Sequence, residues 1–465
     1  MSGNALDADG TAEKPPALDV GRLIDESQLN RISILVILLC GLIMLMDGYD
    51  FMIISVAAPR IMKEWNVSNT DFALAFSATF LGYMFGATFC GGLSDRIGRK
   101  KALLFGSLIF SVGTLLVYFS NSLQSLIPIR VFTGFGIGGA VPCAITLTSE
   151  YSPAKGRGKY VSIMYTGFLV GVVLGGFVAG FMLDRIGWRP LFMVGFFAPL
   201  AAIALLWFKL PESARWLSLH HKTEKQRTML VQLIQGMRPD VRIRPETQFV
   251  SAVTRGGKAS IKDLFAGRLA WVTPVIWAYY MISSIALFFL SNWSPKLLVV
   301  KGYSDSEAAF ISGFVNILVA IGCLLSGFYF DKVGFRWGSI LHVIAAVCVY
   351  FLGGLEPTGF VVLLFITGFF MNSAHMDITI LAPIVYPSNC RNQGAGAAIS
   401  VGRIGAMAGP YIGGVLLDSP LPMSSQLAVA AVPLAIAAVL CYIAGRQYDF
   451  HFAPLYAGKI TPEKE

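Results

Sequence analysis

Twelve apolar runs, each long enough to cross a bilayer, follow one another along the chain at about 32–58, 72–94, 102–120, 124–148, 160–183, 189–209, 270–294, 307–330, 337–355, 359–384, 393–417 and 424–445. About 20 apolar residues carry a helix through the hydrocarbon, where every backbone N–H and C=O must be satisfied within the protein. The runs lack strict alternation, so helices rather than barrel strands are expected. With 55% hydrophobic and 14% charged residues and a mean hydropathy of +0.65, the chain has too little polar surface for a soluble protein of its length. The expected fold class is an all-α polytopic membrane protein.

The formal charge of +9 reads as topology rather than as a nucleic-acid footprint. If the amino terminus is cytoplasmic, 28 of the 36 lysines and arginines fall in cytoplasmic segments, six on the opposite side, and Arg130 and Arg403 inside spans. The positive-inside rule then sets both termini in the cytoplasm. The first residues, "MSGNALDADGTAEKPPALDVG", are polar and acidic with no apolar core, so no cleavable signal peptide is expected. The seven cysteines sit in or beside spans without metal-like spacing and read as small packing residues.

A polar interval at 211–268, with eleven basic and five acidic residues, divides the spans six and six. The expected organisation is a cytoplasmic tail (1–31), a six-helix bundle (32–210), a cytoplasmic linker (211–268), a second six-helix bundle (269–446) and a cytoplasmic tail (447–465). The halves resemble each other. Gly91, Asp95, Arg96 and Gly98 of "GGLSDRIGRK" correspond to Gly327, Asp331, Lys332 and Gly334 of "GFYFDKVGFR", all offset by 236. Pro153 and Arg157 correspond to Pro387 and Arg391, both offset by 234. A parallel duplication of six-helix halves, with a site near midplane between them, is one architecture of secondary transporters. The basic turn containing Arg96 and Arg99 reads either as a topology anchor at the anionic leaflet or as part of a gate closing the cytoplasmic entrance.

Inside "LIMLMDGYDFMIIS", Asp47 and Asp50 are three residues apart in an otherwise apolar helix. Each acid at a helix centre costs about 2.5–3.5 kcal/mol on insertion scales, so intramembrane acids default to function. At i and i+3 they share a face, and Gly48 between them thins the helix there. Two carboxyls this close resist ionising together, so one takes up and releases a proton. Arg130, in the glycine-rich "RVFTGFGIGGA", is the expected partner of ionised Asp50, freed when Asp50 is protonated. Arg403, in "SVGRIGAMAGPYIGG", is expected either to meet an anionic substrate or to form a fixed interhelical ion pair. His375 and Asp377 of "NSAHMDITILAP" either line the pore or satisfy each other within the bundle. Tyr280 and Ser283, in the seventh span, are candidates for stacking on, and hydrogen bonding to, a flat ligand.

These motifs resemble the major facilitator superfamily over roughly residues 20–446. "LDVGRLIDESQL", "DGYD", "RVFTGFGIGGA" and "GRIGAMAGP" together resemble its aromatic acid/proton symporters. The resemblance implies uptake of a benzoate-type or phenylalkanoate-type anion with protons, across the bacterial inner membrane. It also implies that Asp47, Asp50, Arg130, Glu150, Asp331, Arg391 and Arg403, which match family motif positions, matter for transport. "SNCRNQGAG" and "NSAHMD" depart from the family pattern. "PESARWL" and "GYD" are shared with sugar porters, so a proton-coupled sugar or other organic-anion symporter is the alternative. No nucleophile-and-base constellation, phosphate loop or metal cluster emerges, so neither an enzyme nor a cofactor is expected. A receptor would need a larger soluble domain. The partners expected are a small aromatic carboxylate, protons and the bilayer, with no nucleic acid and no required oligomer.

Overall fold

The computed structural model describes residues 17–220, 223–241, 243, 247–250, 261–387 and 390–451, excluding the side chains of 261, 327–333, 392 and 449–451. A short helix α1 (Val20–Asp25) precedes the first six long helices, α2 (Arg31–Trp65), α3 (Asn69–Ile97), α4 (Arg99–Tyr118), α5 (Leu123–Glu150), α6 (Arg157–Ile186) and α7 (Arg189–Lys209). Two helices of the polar interval follow, α8 (Ala214–His220) and α9 (Glu224–Met237). The second half contains α10 (Leu269–Val300), α11 (Asp305–Val333), α12 (Trp337–Leu352), α13 (Pro357–Val385), α14 (Arg391–Leu417), α15 (Met423–Ala430) and α16 (Val432–His451). All twelve expected spans coincide with helices, the twelfth divided between α15 and α16. Pro433, at the start of α16, lacks the N–H that would continue the ladder.

Among the described residues, ten helical stretches are long and apolar enough to cross a membrane by themselves, while α12 is a shorter apolar helix. The glycine-rich α14 falls outside both groups, its many glycines and Arg403 lowering the hydropathy of the run. The first span runs seven residues past its expected end, through Pro59, and stops where Asn66 turns left-handed at φ 51°.

Local chemistry sets the boundaries. Asn30 accepts the Ser33 N–H at 2.9 Å and Ser68 accepts that of Asp71 at 3.0 Å, capping α2 and α3. The duplicated turn reappears in the backbone: Gly98 and Gly334 both have positive φ, 103° and 82°. At Gly98 a side chain would also collide with the Glu212 carboxylate, 2.2 Å from an added Cβ.

Helices approach through glycine. A Cβ on Gly134 would lie 2.0 Å from the Thr79 carbonyl oxygen, and one on Gly138 would lie 2.1 Å from that of Tyr83, so α5 rests directly on α3. Gly48 sits against the Phe168 carbonyl oxygen of α6, 2.0 Å from an added Cβ. Its role is this close seam rather than room for the neighbouring acids.

The halves meet along α3–α14, α6–α11 and α2–α10, at mid-depth and toward the face away from the chain ends. There Gly176 lies against Gly313, Ser77 donates to the Met407 carbonyl at 2.7 Å, and Ser55 donates to Asn292 at 3.3 Å. At the rim Asp418, ending α14, accepts the first N–H groups of α3, from Asn69 at 3.1 Å and Thr70 at 2.6 Å. Arg60 lies 3.6 Å from Asp184 and 3.9 Å from Asp305. Toward the face bearing the chain ends, Gly91 and Gly92 on α3 and Gly396 on α14 look into space open for at least 4 Å.

On that face the interval read as a linker is partly folded. Strand β1 (Ala17–Asp19) pairs in parallel with β2 (Gln248–Val250). Asp25 holds both Arg157 and, at 2.5 Å, Arg215.

Candidate functional site

Midway through the bundle, between the halves, lies a cavity of about 190 Å³ lined by Asp47, Asp50, Arg130 and Arg403. The three-residue spacing of the acids on α2 turns both to this cavity. Their surroundings differ. Asp50 is 1% exposed and Arg130 2%. Arg130 Nη1 donates to Asp50 Oδ2 at 3.0 Å, its Nε donates to Thr79 at 3.0 Å, and Thr114 donates to Asp50 Oδ1 at 2.7 Å. The close α3–α5 seam brings Thr79 to the arginine. Buried charges need this degree of satisfaction. Asp47 is half-buried and forms neither a hydrogen bond nor an ion pair with any described residue.

Arg403 enters the cavity from α14 with its guanidinium 4.2 Å above the Tyr83 ring. No carboxylate of the described residues lies within ion-pair distance of it. Tyr83, Tyr165, Phe51, Phe80 and Phe288 supply the walls, with Phe80 and Phe288 edge to face at 4.9 Å. A site with one uncommitted cation, one uncommitted acid and aromatic walls can hold a small flat anion and a proton together.

Tyr280, Ser283, His375 and Asp377 are not among the residues lining this cavity. Tyr280 packs over Gly402, its hydroxyl 3.4 Å from that of Thr379. Ser283 lies 2.9 Å from His375 Nδ1 and 3.3 Å from His342 Nε2. Asp377 is fully buried and accepts from Cys441 at 2.9 Å and Tyr279 at 3.5 Å. His375 and Asp377 do not bond each other, because residues two apart on a helix point to different sides.

At the face bearing the chain ends, Arg99 Nη2 bonds Asp95 at 2.9 Å, its Nε lies 3.5 Å from Glu150, and Ser213 donates to Glu150. Glu212 accepts the backbone N–H of Lys100 at 3.0 Å and of Ser213 at 2.9 Å. Burial pushes the Glu212 carboxyl up despite those bonds. Arg96 is exposed and Gly91 faces open space. Arg391 donates to the Tyr386 carbonyl at 3.2 Å. The Asp331 side chain lies outside the described residues.

The sequence reading missed Tyr83, Tyr165, Phe288, Thr114 and Glu212. Glu212 lies within "PESARWL", a fragment shared with sugar porters that carries no local sign of these backbone bonds.

Comparison with known proteins adds independent findings. Residues 40–410 match the family model of the Major Facilitator Superfamily. The chain is 33% identical over 438 residues to a gallate transporter of Pseudomonas putida, covering 93% of this chain and 96% of that one. It is 30% identical over 443 residues to the 4-hydroxybenzoate transporter PcaK of Acinetobacter baylyi, covering 93% and 95%. It is also 30% identical over 412 residues to the 3-(3-hydroxy-phenyl)propionate transporter of Escherichia coli, covering 87% and 92%. Among solved structures, a bacterial homolog of the human lysosomal transporter Spinster aligns with TM-score 0.70 at 17% identity, over 94% of this chain and all of that one. A D-xylose-proton symporter aligns with TM-score 0.67 at 18% identity, over 92% and 99%. At those identities the structural likeness shows the fold alone.

Proposed function

Since the chain belongs to the Major Facilitator Superfamily, within its aromatic acid/proton symporter family, we propose that it imports a small aromatic carboxylate together with protons by alternating access. It is a transport protein rather than an enzyme. The observation that carries the substrate class is the central cavity itself, in which Arg403, without a carboxylate partner, stands among aromatic rings.

Arg403 takes the carboxylate and the rings take the flat body of the substrate. Asp50 and Arg130 form the proton-sensitive pair. With Asp50 ionised the pair is closed and internally neutral; a proton on Asp50 removes the attraction and leaves Arg130 free to reorganise α2 against α5. Asp47, facing the same cavity unpaired, is the second acid available to a proton. The arrangement described here, joined along the face away from the chain ends, is the inward-facing stage of that cycle, with both termini in the cytoplasm and the chain in the bacterial inner membrane. Asp95, Arg99 and Glu150, already joined to one another here, with Arg96, Gly91 and Gly98, and Asp331 and Arg391 in the second half, form the cytoplasmic latch whose two halves meet when the inner side closes.

Coupling has a clear energetic purpose. A monovalent anion entering an interior-negative cell works against about 2.3 kcal/mol per 100 mV, and one proton cancels that charge. In reconstituted vesicles, an imposed inward proton gradient is expected to drive accumulation of 4-hydroxybenzoate, gallate or benzoate, with a hexose excluded. Asp50→Asn is expected to abolish accumulation while sparing substrate exchange at equal pH. Uptake indifferent to collapse of the gradient overturns the coupling, and hexose accumulation overturns the substrate class.

A further inference from the structure

The second half holds a polar cluster that the central cavity does not use. Asp377 on α13 is fully buried, and only one of its carboxyl oxygens is engaged. Oδ2 accepts from Cys441 of α16 at 2.9 Å and from Tyr279 of α10 at 3.5 Å, while Oδ1 is buried without a hydrogen-bond partner. Asp377 forms no ion pair with any described residue. Across α12, the carboxyl lies directly against Gly338, with Oδ2 2.1 Å from the position of an added Cβ. The carbonyl of that same glycine lies 2.9 Å from Nδ1 of His342, which is also fully buried.

A carbonyl only accepts, so His342 Nδ1 carries a hydrogen, and in the neutral ring Nε2 is an acceptor. Ser283, 3.3 Å away, therefore donates its one hydrogen to Nε2. That leaves the Ser283 oxygen to accept from His375 Nδ1 at 2.9 Å. His375 is half-buried, stands 5.5 Å edge-on to the Tyr280 ring, and Tyr280 packs over Gly402 beside Arg403. A directed chain thus runs from His375, beside the Tyr280 ring, through Ser283 to a histidine sealed in the bundle, with the acid on the other side of Gly338.

We propose that His342 and Asp377 form a second proton-binding site, carried entirely by the C-terminal half and loaded from the central cavity through His375 and Ser283. The proposal rests on the symport reading above. A hydronium gives its proton to His375 Nε2 and becomes water. The His375 Nδ1 hydrogen passes to Ser283 as the Ser283 hydrogen passes to His342 Nε2. His375 ends neutral and His342 ends as imidazolium, its charge offset by the Asp377 carboxylate across Gly338.

The loaded cluster has no net charge, whereas the unloaded one holds the Asp377 carboxylate without a counter-charge, so burial favours the loaded form. The groups facing the acid are Tyr279 from α10 and Cys441 from α16, with the His342 ring of α12 beyond, 5.4 Å from the Tyr279 ring; His375 faces Tyr280 and, farther off, Arg403 of α14. On the other side of α13, α11 brings Gly322 against Ser373 rather than against the acid.

The test uses the purified full-length protein in liposomes and reads the reversal potential of 4-hydroxybenzoate uptake under imposed proton gradients. The expected result is that Asp377→Asn lowers the protons moved per substrate by one and leaves substrate exchange at equal pH intact. Ser283→Ala is expected to slow gradient-driven uptake about tenfold and flatten its pH profile, and Ser283→Thr, which keeps the hydroxyl, to restore both. An Asp377→Asn reversal potential equal to that of the unaltered protein overturns the proposal. If that variant is not recovered from membranes, an unchanged pH profile in Ser283→Ala overturns it equally. A reversal potential of the unaltered protein that ignores the proton gradient is a different result: it overturns the symport reading on which the second site stands.

Discussion

Arg403 and Arg130 are both central cations, but the residues around them prescribe opposite behaviour. Arg130 is committed to Asp50 and Thr79, and removing one member of such a buried pair costs about 3–5 kcal/mol because the other charge stays behind. Arg403 lies over the Tyr83 ring and forms no ion pair with a carboxylate of the described residues. A lysine there would keep the charge and lose both the planar fork and the stack. Arg403→Lys is therefore expected to raise KM for an aromatic carboxylate about tenfold or more, about 1.4 kcal/mol, with the proton dependence of uptake kept. A KM within twofold of the unaltered protein, measured in vesicles, would remove Arg403 from the binding site. Asp47, Asp50, Arg130 and Arg403 were legible in the sequence because a charge inside an apolar run is conspicuous. Tyr83, Tyr165 and Phe288 were not: aromatic residues abound in spans, and which of them face inward depends on helix rotation that only packing settles.

Helices here are positioned by what their glycines leave out. Gly134 and Gly91 make a matched pair for testing this, one at a backbone contact and one in open space. An added methyl on Gly134 meets the Thr79 carbonyl oxygen at 2.0 Å, and backbone cannot step aside. Gly134→Ala is expected to destabilise the protein by about 1–3 kcal/mol and to disturb the Thr79 bond to Arg130. Gly91→Ala meets nothing within 4 Å and is expected to leave the melting temperature unchanged. Thermal unfolding in detergent distinguishes the two, and equal melting temperatures would refute the seam argument. The glycines of "RVFTGFGIGGA" announced a close helix contact, but not with which helix. Gly48 shows the same limit, since its neighbour is on α6, more than a hundred residues away in the chain. The pairing of α3 with α5 and of α2 with α6 is a tertiary fact without a local signal.

At the scale of the whole molecule, the two halves are joined on one face by Asp418, which ends a helix of one half and caps a helix of the other. Burial alone would raise the Asp418 carboxyl, but the hydrogen bonds from Thr70 and Asn69 outweigh it and hold it below the ordinary aspartate range. A carboxyl lowered in this way contributes its full share to the closed seam above the ordinary aspartate value. It loses that share as pH falls through its own lower one. The seam is thus expected to be insensitive to pH near neutrality and to loosen only in strong acid. Asp418→Ala is expected to cost the closed form about 1 kcal/mol, shifting its balance against the open form about fivefold at neutral pH. Labelling of a cysteine introduced beside the seam would read that shift, and equal labelling rates would discount the cap. The duplication, the twelve spans and the division into halves were legible because offsets of 236 and 234 and apolar runs are properties of the chain itself. Asp418 was not, since an acid just past a span reads as an ordinary loop residue until its partner 349 positions away is seen.

The pairing of Ala17–Asp19 with Gln248–Val250 has a mechanical corollary. It ties Val250 to the amino-terminal strand beside the first bundle, so whatever path the chain takes on to Ile261, it is the length of that stretch that joins the two rocking bodies. Fully stretched, that cord spans at most about 40 Å. The swing of the bundles is therefore bounded by a knot tied at the amino-terminal end, far from the cargo.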